Sequence, residues 1–164
     1  MQYKEINGDL IKLSKEGIFD VITHGCNSFS VMGAGIAPQM DNAFGCNNSK
    51  IYKMESKESA GDINKLGQIE WNVLPNINGN ELVVINSYTQ YGFGKNHKKG
   101  TVSPIDYEAL TLCMRKINHT FPGKKIGLPR IGAGLAGGDW ERIKTIIQNE
   151  LSEMDIIVVN YVPQ

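Results

Sequence analysis

The sequence predicts a three-layer α/β/α domain built on a central mixed sheet. Short apolar, β-branched segments alternate along the 164 residues with segments whose apolar positions recur at helical spacing. One pair of strand-like segments is joined by Asn78-Gly79-Asn80, a hairpin signal, so the sheet cannot be wholly parallel. Two glycine-rich runs, Val31 to Ala37 and Pro129 to Asp139, each follow a strand-like stretch and precede a helix-like one. Open α/β sheets hold their ligands at such strand ends.

Tyr3 to Ile6 reads as a short strand ending in a turn at Asn7-Gly8-Asp9-Leu10. Phe19 to His24 is a second strand, leading through Gly25-Cys26-Asn27 into the first glycine run. Ile36 to Phe44 reads as a helix with Pro38 in its first turn, and Ile51 to Ser59 as a second helical candidate. Lys65 to Leu74 alternates as a half-exposed strand does, and Glu81 to Asn86 is apolar on both faces, as an interior strand is. Tyr88 to Val102 reads as a polar loop, mobile at Lys95 to Lys99. In the helix predicted for Ile105 to Asn118, Ile105, Ala109, Leu112, Cys113 and Ile117 share one side. Lys125 to Pro129 is a short buried strand, Trp140 to Glu150 a helix with Ile143, Ile146, Ile147 and Leu151 as its stripe, and Asp155 to Tyr161 the closing strand.

One domain spanning residues 1–164 is expected, since this length supports a single substantial core and shows no repeats or linkers. Seventeen basic residues balance seventeen acidic ones, so net charge points to neither a nucleic-acid nor a membrane partner. The cysteines, Cys26, Cys46 and Cys113, are odd in number and lack the CxxC spacing of zinc sites. That usage fits a reducing cytoplasm. No basic segment with an apolar run follows Met1, and no stretch is long enough to span a bilayer.

Glycine admits positive φ and lets main-chain N–H groups approach a ligand without a Cβ in the way. Each run alone reads equally as a tight turn. Together, in the same strand–loop–helix context, they read as two walls of a cradle for a diphosphate. His24 is either a core histidine or a proton-exchanging group opening into the first run. Asn27 turns the chain or bonds a sugar hydroxyl, and Asp9 makes an Asx turn or accepts an adenine amine. Asp139 either caps the helix at Trp140 or faces the ligand as base or nucleophile. Cys26 reads as a small buried hydrophobe, Trp140 as core or a wall beneath the second run, and Tyr88 and Tyr91 as half-buried or ligand-stacking aromatics.

These motifs together resemble those of a macrodomain, over nearly the whole chain from Asn7-Gly8-Asp9-Leu10 to Val158-Val159-Asn160-Tyr161. The residues that carry the resemblance are His24-Gly25-Cys26-Asn27, Met32 to Ala37, Asn86 to Gln90, Ile105 to Ala109 and Gly127 to Trp140. Within the family the chain is similar to the branch holding the yeast-type ADP-ribose 1″-phosphatase and the terminal ADP-ribose glycohydrolases. The resemblance implies a small-molecule ligand, ADP-ribose or its 1″-phosphate. No metal-ligating cluster is visible in the sequence, so a metal-independent protein without a cofactor is expected, and a monomer.

In family terms Gly8, Asp9 and Leu10 match the adenine end, with Asp9 the selecting acid and Leu10 a backbone donor. Gly33, Ala34, Gly35, Ile36 and Ala37 match the first phosphate loop. Ile131, Gly132, Ala133, Gly134, Leu135, Ala136, Gly137 and Gly138 match the second. Tyr88, Thr89 and Gln90 line the same site, and Asn27 lies by the distal ribose. His24 and Asp139 match positions that phosphatase members use to remove the terminal phosphate. The lysine that glycohydrolases use after the central strand is missing from Ser87 to Gln90, and Ala136 stands where their aspartate follows Gly-Leu. The resemblance therefore implies hydrolysis of ADP-ribose 1″-phosphate, the alternatives being an ADP-ribose reader or a hydrolase removing ADP-ribose from protein or nucleic acid.

Overall fold

The computed structural model describes residues 2–30, 32, 35–47, 61–92 and 104–162. Six strands form one sheet: β1 (Tyr3–Gly8), β2 (Val21–Asn27), β3 (Ile69–Ile77), β4 (Asn80–Gln90), β5 (Lys125–Leu128) and β6 (Asp155–Tyr161). Their order is β1-β6-β5-β2-β4-β3. All neighbours are parallel except β3 against β4. The antiparallel pair turns at Asn78 and Gly79, both at positive φ (47° and 83°), as an Asn-Gly hairpin requires. The sheet is therefore mixed, with β4 and β5 in its interior as their two-sided apolarity predicts.

The layers follow from strand alternation. Val21, Ile85, Ile126, Ile156 and Val158 point to one face, where α3 (Tyr107–Thr120) and α4 (Trp140–Glu150) cover them through Leu110, Cys113, Met114, Ile143 and Ile147. Ile22, Val84, Ile157 and Val159 point to the other face. There they meet Leu10 of α1 (Leu10–Lys15) and Met40 and Phe44 of α2 (Ala37–Phe44).

Several elements differ from the sequence expectation. The turn at Asp9 opens a helix, because its carboxylate accepts from Ile11 and Lys12 N–H at 3.0 and 3.2 Å and caps α1. β2 runs on to Asn27, which puts His24 in mid-strand. β4 runs on to Gln90, so Tyr88, Thr89 and Gln90 belong to the sheet and not to a loop. Lys65 ends a 3₁₀ turn (Ile63–Lys65) capped by Asp62, and β3 starts only at Ile69, after Gly67 at φ +83°. On α3 the buried stripe is Ala109, Leu110, Cys113, Met114 and Ile117, whereas Leu112 is exposed. The candidate helix at 51–59 and the 95–99 segment lie outside the described residues.

Because five strands run parallel, their carboxyl ends emerge along one edge of the domain: Gly8, Asn27, Gln90, Leu128 and Tyr161. That edge holds the site.

Candidate functional site

A cavity of about 550 Å³ opens at this edge. Its floor is the end of β2, Gly25 to Asn27, with Gln90 of β4 beside it. Ser30, Met32, Gly35, Ile36 and Ala37 form one wall, and Pro129 to Gly132 with Gly134 to Ala136 form the other. The two glycine runs therefore face each other across one space. Gly33 and Ala34 lie outside the described residues.

Both walls present unused hydrogen-bond donors. In the second loop, four N–H groups are spent internally: Ile131 on Pro129 O, Ala133 on Arg130 O, Gly137 on Gly134 O and Gly138 on Gly132 O, at 2.7 to 3.1 Å. Those of Gly132, Gly134, Leu135 and Ala136 have no partner among the described residues, and all four residues line the cavity. In the first wall, Gly35, Ile36 and Ala37 likewise have no N–H partner among the described residues. Ile36 occupies the N-cap of α2 without a side-chain cap, and Pro38 follows within the first turn. An uncapped helix start carries partial positive charge and orphan donors. Two such walls suit an anion.

The loop shapes depend on particular glycines. Gly35 takes φ +67°, a region costly for residues with a Cβ. A Cβ at Gly25 would stand 2.9 Å from Thr89 Oγ1, so only glycine lets the floor lie flat against β4.

The structure separates the residues that the sequence grouped. Asn27 (7% exposed) lines the cavity and its Oδ1 accepts from Phe29 N–H at 3.1 Å. Gln90 also lines it, its Nε2 donating to Gly92 O at 2.7 Å. Asp9 and Leu10 stand at the end of β1, outside the cavity wall. Both cap bonds of Asp9 fall on Oδ1, and the Leu10 side chain is core. Thr89 is fully buried beneath Gly25. Tyr88 is also buried, and its hydroxyl donates to Glu70 Oε1 at 2.6 Å. Burial first, then that bond, raises its pKa. Neither Tyr88 nor Thr89 offers a surface to a ligand.

His24 corrects the sequence reading most sharply. It does not line the cavity; it is fully buried on the α2 face. Nε2 donates to Asn86 Oδ1 at 2.8 Å, an orientation fixed because Asn86 Nδ2 donates to Cys46 O at 2.8 Å. Cys46 and Cys26 sulfurs lie 3.6 and 3.7 Å from the same nitrogen. Burial pushes its pKa down to about 4, with the Asn86 bond and Asp41 opposing weakly. A neutral, enclosed imidazole cannot protonate a leaving group in the cavity. Asp139 is exposed and does not line the cavity either. Its Oδ1 accepts from Glu141 N–H at 3.1 Å as the cap of α4, and its own N–H donates to Tyr107 Oη at 2.9 Å. Of the three residues assigned catalytic roles, only Asn27 stands at the cavity.

Other residues of the wall were missed. Gly25, Ser30, Met32, Pro129 and Arg130 line the cavity but were given no role. Gly25 carried a usable signal, a glycine inside a β-branched run, which marks close backbone approach.

No family model matches the chain. A 17.5 kDa uncharacterized protein from the tk-vs intergenic region of enterobacteria phage T4 is 34% identical over 169 aligned positions, covering 99% of each chain. The chain belongs to the family of that phage protein. Among solved structures, the macrodomain of Thermus aquaticus DarG superposes with a TM-score of 0.65 at 24% identity, over 99% of both chains. Thermosipho africanus DarTG in complex with ADP-ribose gives a TM-score of 0.72 at 15% identity, over 99% of this chain and 42% of that one. The fold is thus the macrodomain fold, and the cavity lies at the carboxyl ends of the parallel strands.

Proposed function

We propose that the chain binds ADP-ribose, with the diphosphate held between the two glycine-rich walls. The observation that carries this is the set of seven main-chain N–H groups on one cavity, from Gly35, Ile36, Ala37, Gly132, Gly134, Leu135 and Ala136, that have no partner among the described residues. A cavity of about 550 Å³ is of ordinary size for a ligand of this class. The ADP-ribose complex of the similarly folded Thermosipho protein supports the same ligand. Asp9, with both cap bonds on one oxygen, keeps the other for an adenine amine, and Asn27 stands at the opposite end for the distal ribose.

The enzymatic form of the proposal is hydrolysis of ADP-ribose 1″-phosphate at the Asn27 end. Water oxygen bonds to phosphorus, the ester P–O bond breaks, and a proton reaches the departing ribose oxygen. Loop amides would stabilise the charge on the transferred group. The proton would travel through Asn27-bound water, since His24 is fully buried and does not line the cavity. That same enclosure favours a second reading, a binding module with no turnover.

Calorimetric titration with ADP-ribose, followed by phosphate release from ADP-ribose 1″-phosphate, tests both. Binding with release supports the phosphatase. Binding without release leaves the reader, or a hydrolase that frees ADP-ribose from modified protein or DNA. A folded protein with no heat of ADP-ribose binding overturns the proposal.

A further inference from the structure

The amide walls supply partial charge only. Among the described residues lining the cavity, Arg130 alone is formally charged. It stands two residues past the end of β5, and its carbonyl accepts from Ala133 N–H at 3.1 Å, which ties its backbone into the second loop. The guanidinium lies over Trp140, 4.8 Å from the ring centroid. Among the described residues it has no carboxylate partner. By contrast, Arg115 is held bidentately by Glu150, at 3.0 Å for each bond.

A guanidinium stacked by its face keeps its in-plane N–H donors for an acceptor. The stack also removes part of the conformational freedom that a long exposed side chain would lose on binding. An exposed, partly preordered cation on a residue that lines a cavity otherwise lined by neutral groups, with no ion-pair partner among the described residues, matches an anionic ligand.

We propose that Arg130 is the charge-recognition residue of the cleft, donating to the diphosphate of the nucleotide sugar and selecting phosphate-bearing ligands over uncharged nucleosides. This rests on the ADP-ribose reading. Trp140 acts through it, as the surface that orients the guanidinium.

The test is titration of wild type, Arg130→Gln and Arg130→Lys with ADP-ribose and with adenosine, at low and high salt. Wild type is expected to bind ADP-ribose more weakly as salt rises, because screening weakens a charge–charge contact. Arg130→Gln should bind ADP-ribose about tenfold more weakly, with a flatter salt dependence. Its adenosine affinity should match wild type. Arg130→Lys keeps the charge and loses the planar stack, so it should retain the salt dependence at intermediate affinity. If the glutamine variant loses stability, the lysine variant decides alone: salt dependence retained supports the proposal, and salt dependence lost overturns it. Wild-type affinity and salt dependence in Arg130→Gln would overturn it. So would equal weakening toward both ligands, which would make Arg130 a wall and not a charge sensor. Failure of the ADP-ribose reading is separately visible, as absence of binding by the wild-type protein.

Discussion

Gly35 and Leu135 meet across the cleft: a Cβ placed on Gly35 would stand 3.6 Å from Leu135 Cδ1. Two runs separated by about a hundred residues in sequence are thus in contact range, and the space behind the contact is the cavity. Gly35 has φ +67°, so Gly35→Val would strain the backbone as well as fill space, confounding stability with affinity.

Gly134 separates the two effects. Among the described residues nothing lies within 4 Å of a Cβ there, and its φ is not in the positive region. Gly134→Val should therefore change unfolding free energy by no more than about 0.5 kcal/mol. Its side chain would occupy the ligand's approach to the N–H groups, and ADP-ribose affinity should drop at least about tenfold. Denaturant unfolding and calorimetry on the same sample check both halves. Unchanged affinity in the folded variant would remove the cleft as the binding site.

Stability should carry a signature of His24. The unfolded chain takes up the imidazole proton near pH 6.5, the folded chain only near 4. Between those values the unfolded state binds more protons, so stability falls as pH is lowered through this window and the contribution levels off below about 4. The loss attributable to His24 is on the order of 3 kcal/mol across the window. In His24→Gln this part of the pH dependence should vanish, at the cost of lower stability at pH 7.5. Urea titrations at pH 7.5 and 5.0 measure it. Identical pH slopes in variant and wild type would contradict the burial of the ring.

Asp139 is a cap by geometry, and a cap can be replaced without a carboxylate. Asp139→Ala should lower stability by about 1 kcal/mol, and Asp139→Ser should restore most of it. ADP-ribose affinity should be unchanged in both, because the side chain is bonded to Glu141 N–H and does not line the cavity. If Asp139→Ser is stable yet loses phosphate release that the wild type performs, the carboxylate does chemistry that the cap geometry conceals.

The contrast between these residues shows what a one-dimensional reading supplies. Elements defined by pattern came through: Trp140–Glu150 and Asp155–Tyr161 match their predicted bounds, and the Asn-Gly hairpin lies at Asn78-Gly79. So did the facing of the two glycine walls, since main-chain chemistry at strand ends follows from topology. Side-chain direction did not. His24 and Cys26 precede the first run, but β2 continues through Asn27, and alternation sends His24 to the α2 face. Whether a strand ends at residue 24 or 27 is decided by pairing with β4, a contact between segments about sixty residues apart. α1 was missed because its six residues are too short for a periodic signal, and only the Asp9 cap announces it.

Lys65 is a buried cation that supports the cleft from behind. It is 0% exposed, and its Nζ donates to Ser28 O at 3.0 Å. Gly61 N–H donates to the same carbonyl, while Ser28 N–H donates to Gln90 O and Tyr91 O at 3.2 and 2.9 Å. The turn after β2 is thereby pinned on two sides, and Asn27 and Ser30 within it line the cavity. Burial lowers the Lys65 pKa, with Glu70 and Asp62 pulling it back up. Lys65→Met keeps the volume and removes the charge. It removes the buried charge and its bond to Ser28 O, at a cost of about 2 kcal/mol at pH 7. Because the folded-state pKa is the lower one, the unfolded chain binds the extra proton as pH rises toward 10.5, so wild-type stability gains in that window. The methionine variant should lack the gain. Its ADP-ribose affinity should fall several-fold through the loosened turn, and Lys65→Arg, which keeps the charge and a donor to Ser28 O, should recover part of it. Denaturation at pH 7 and 9.5 with titration of all three proteins checks the set. A methionine variant that binds as wild type does would show that Ser28 is held well enough by its other bonds.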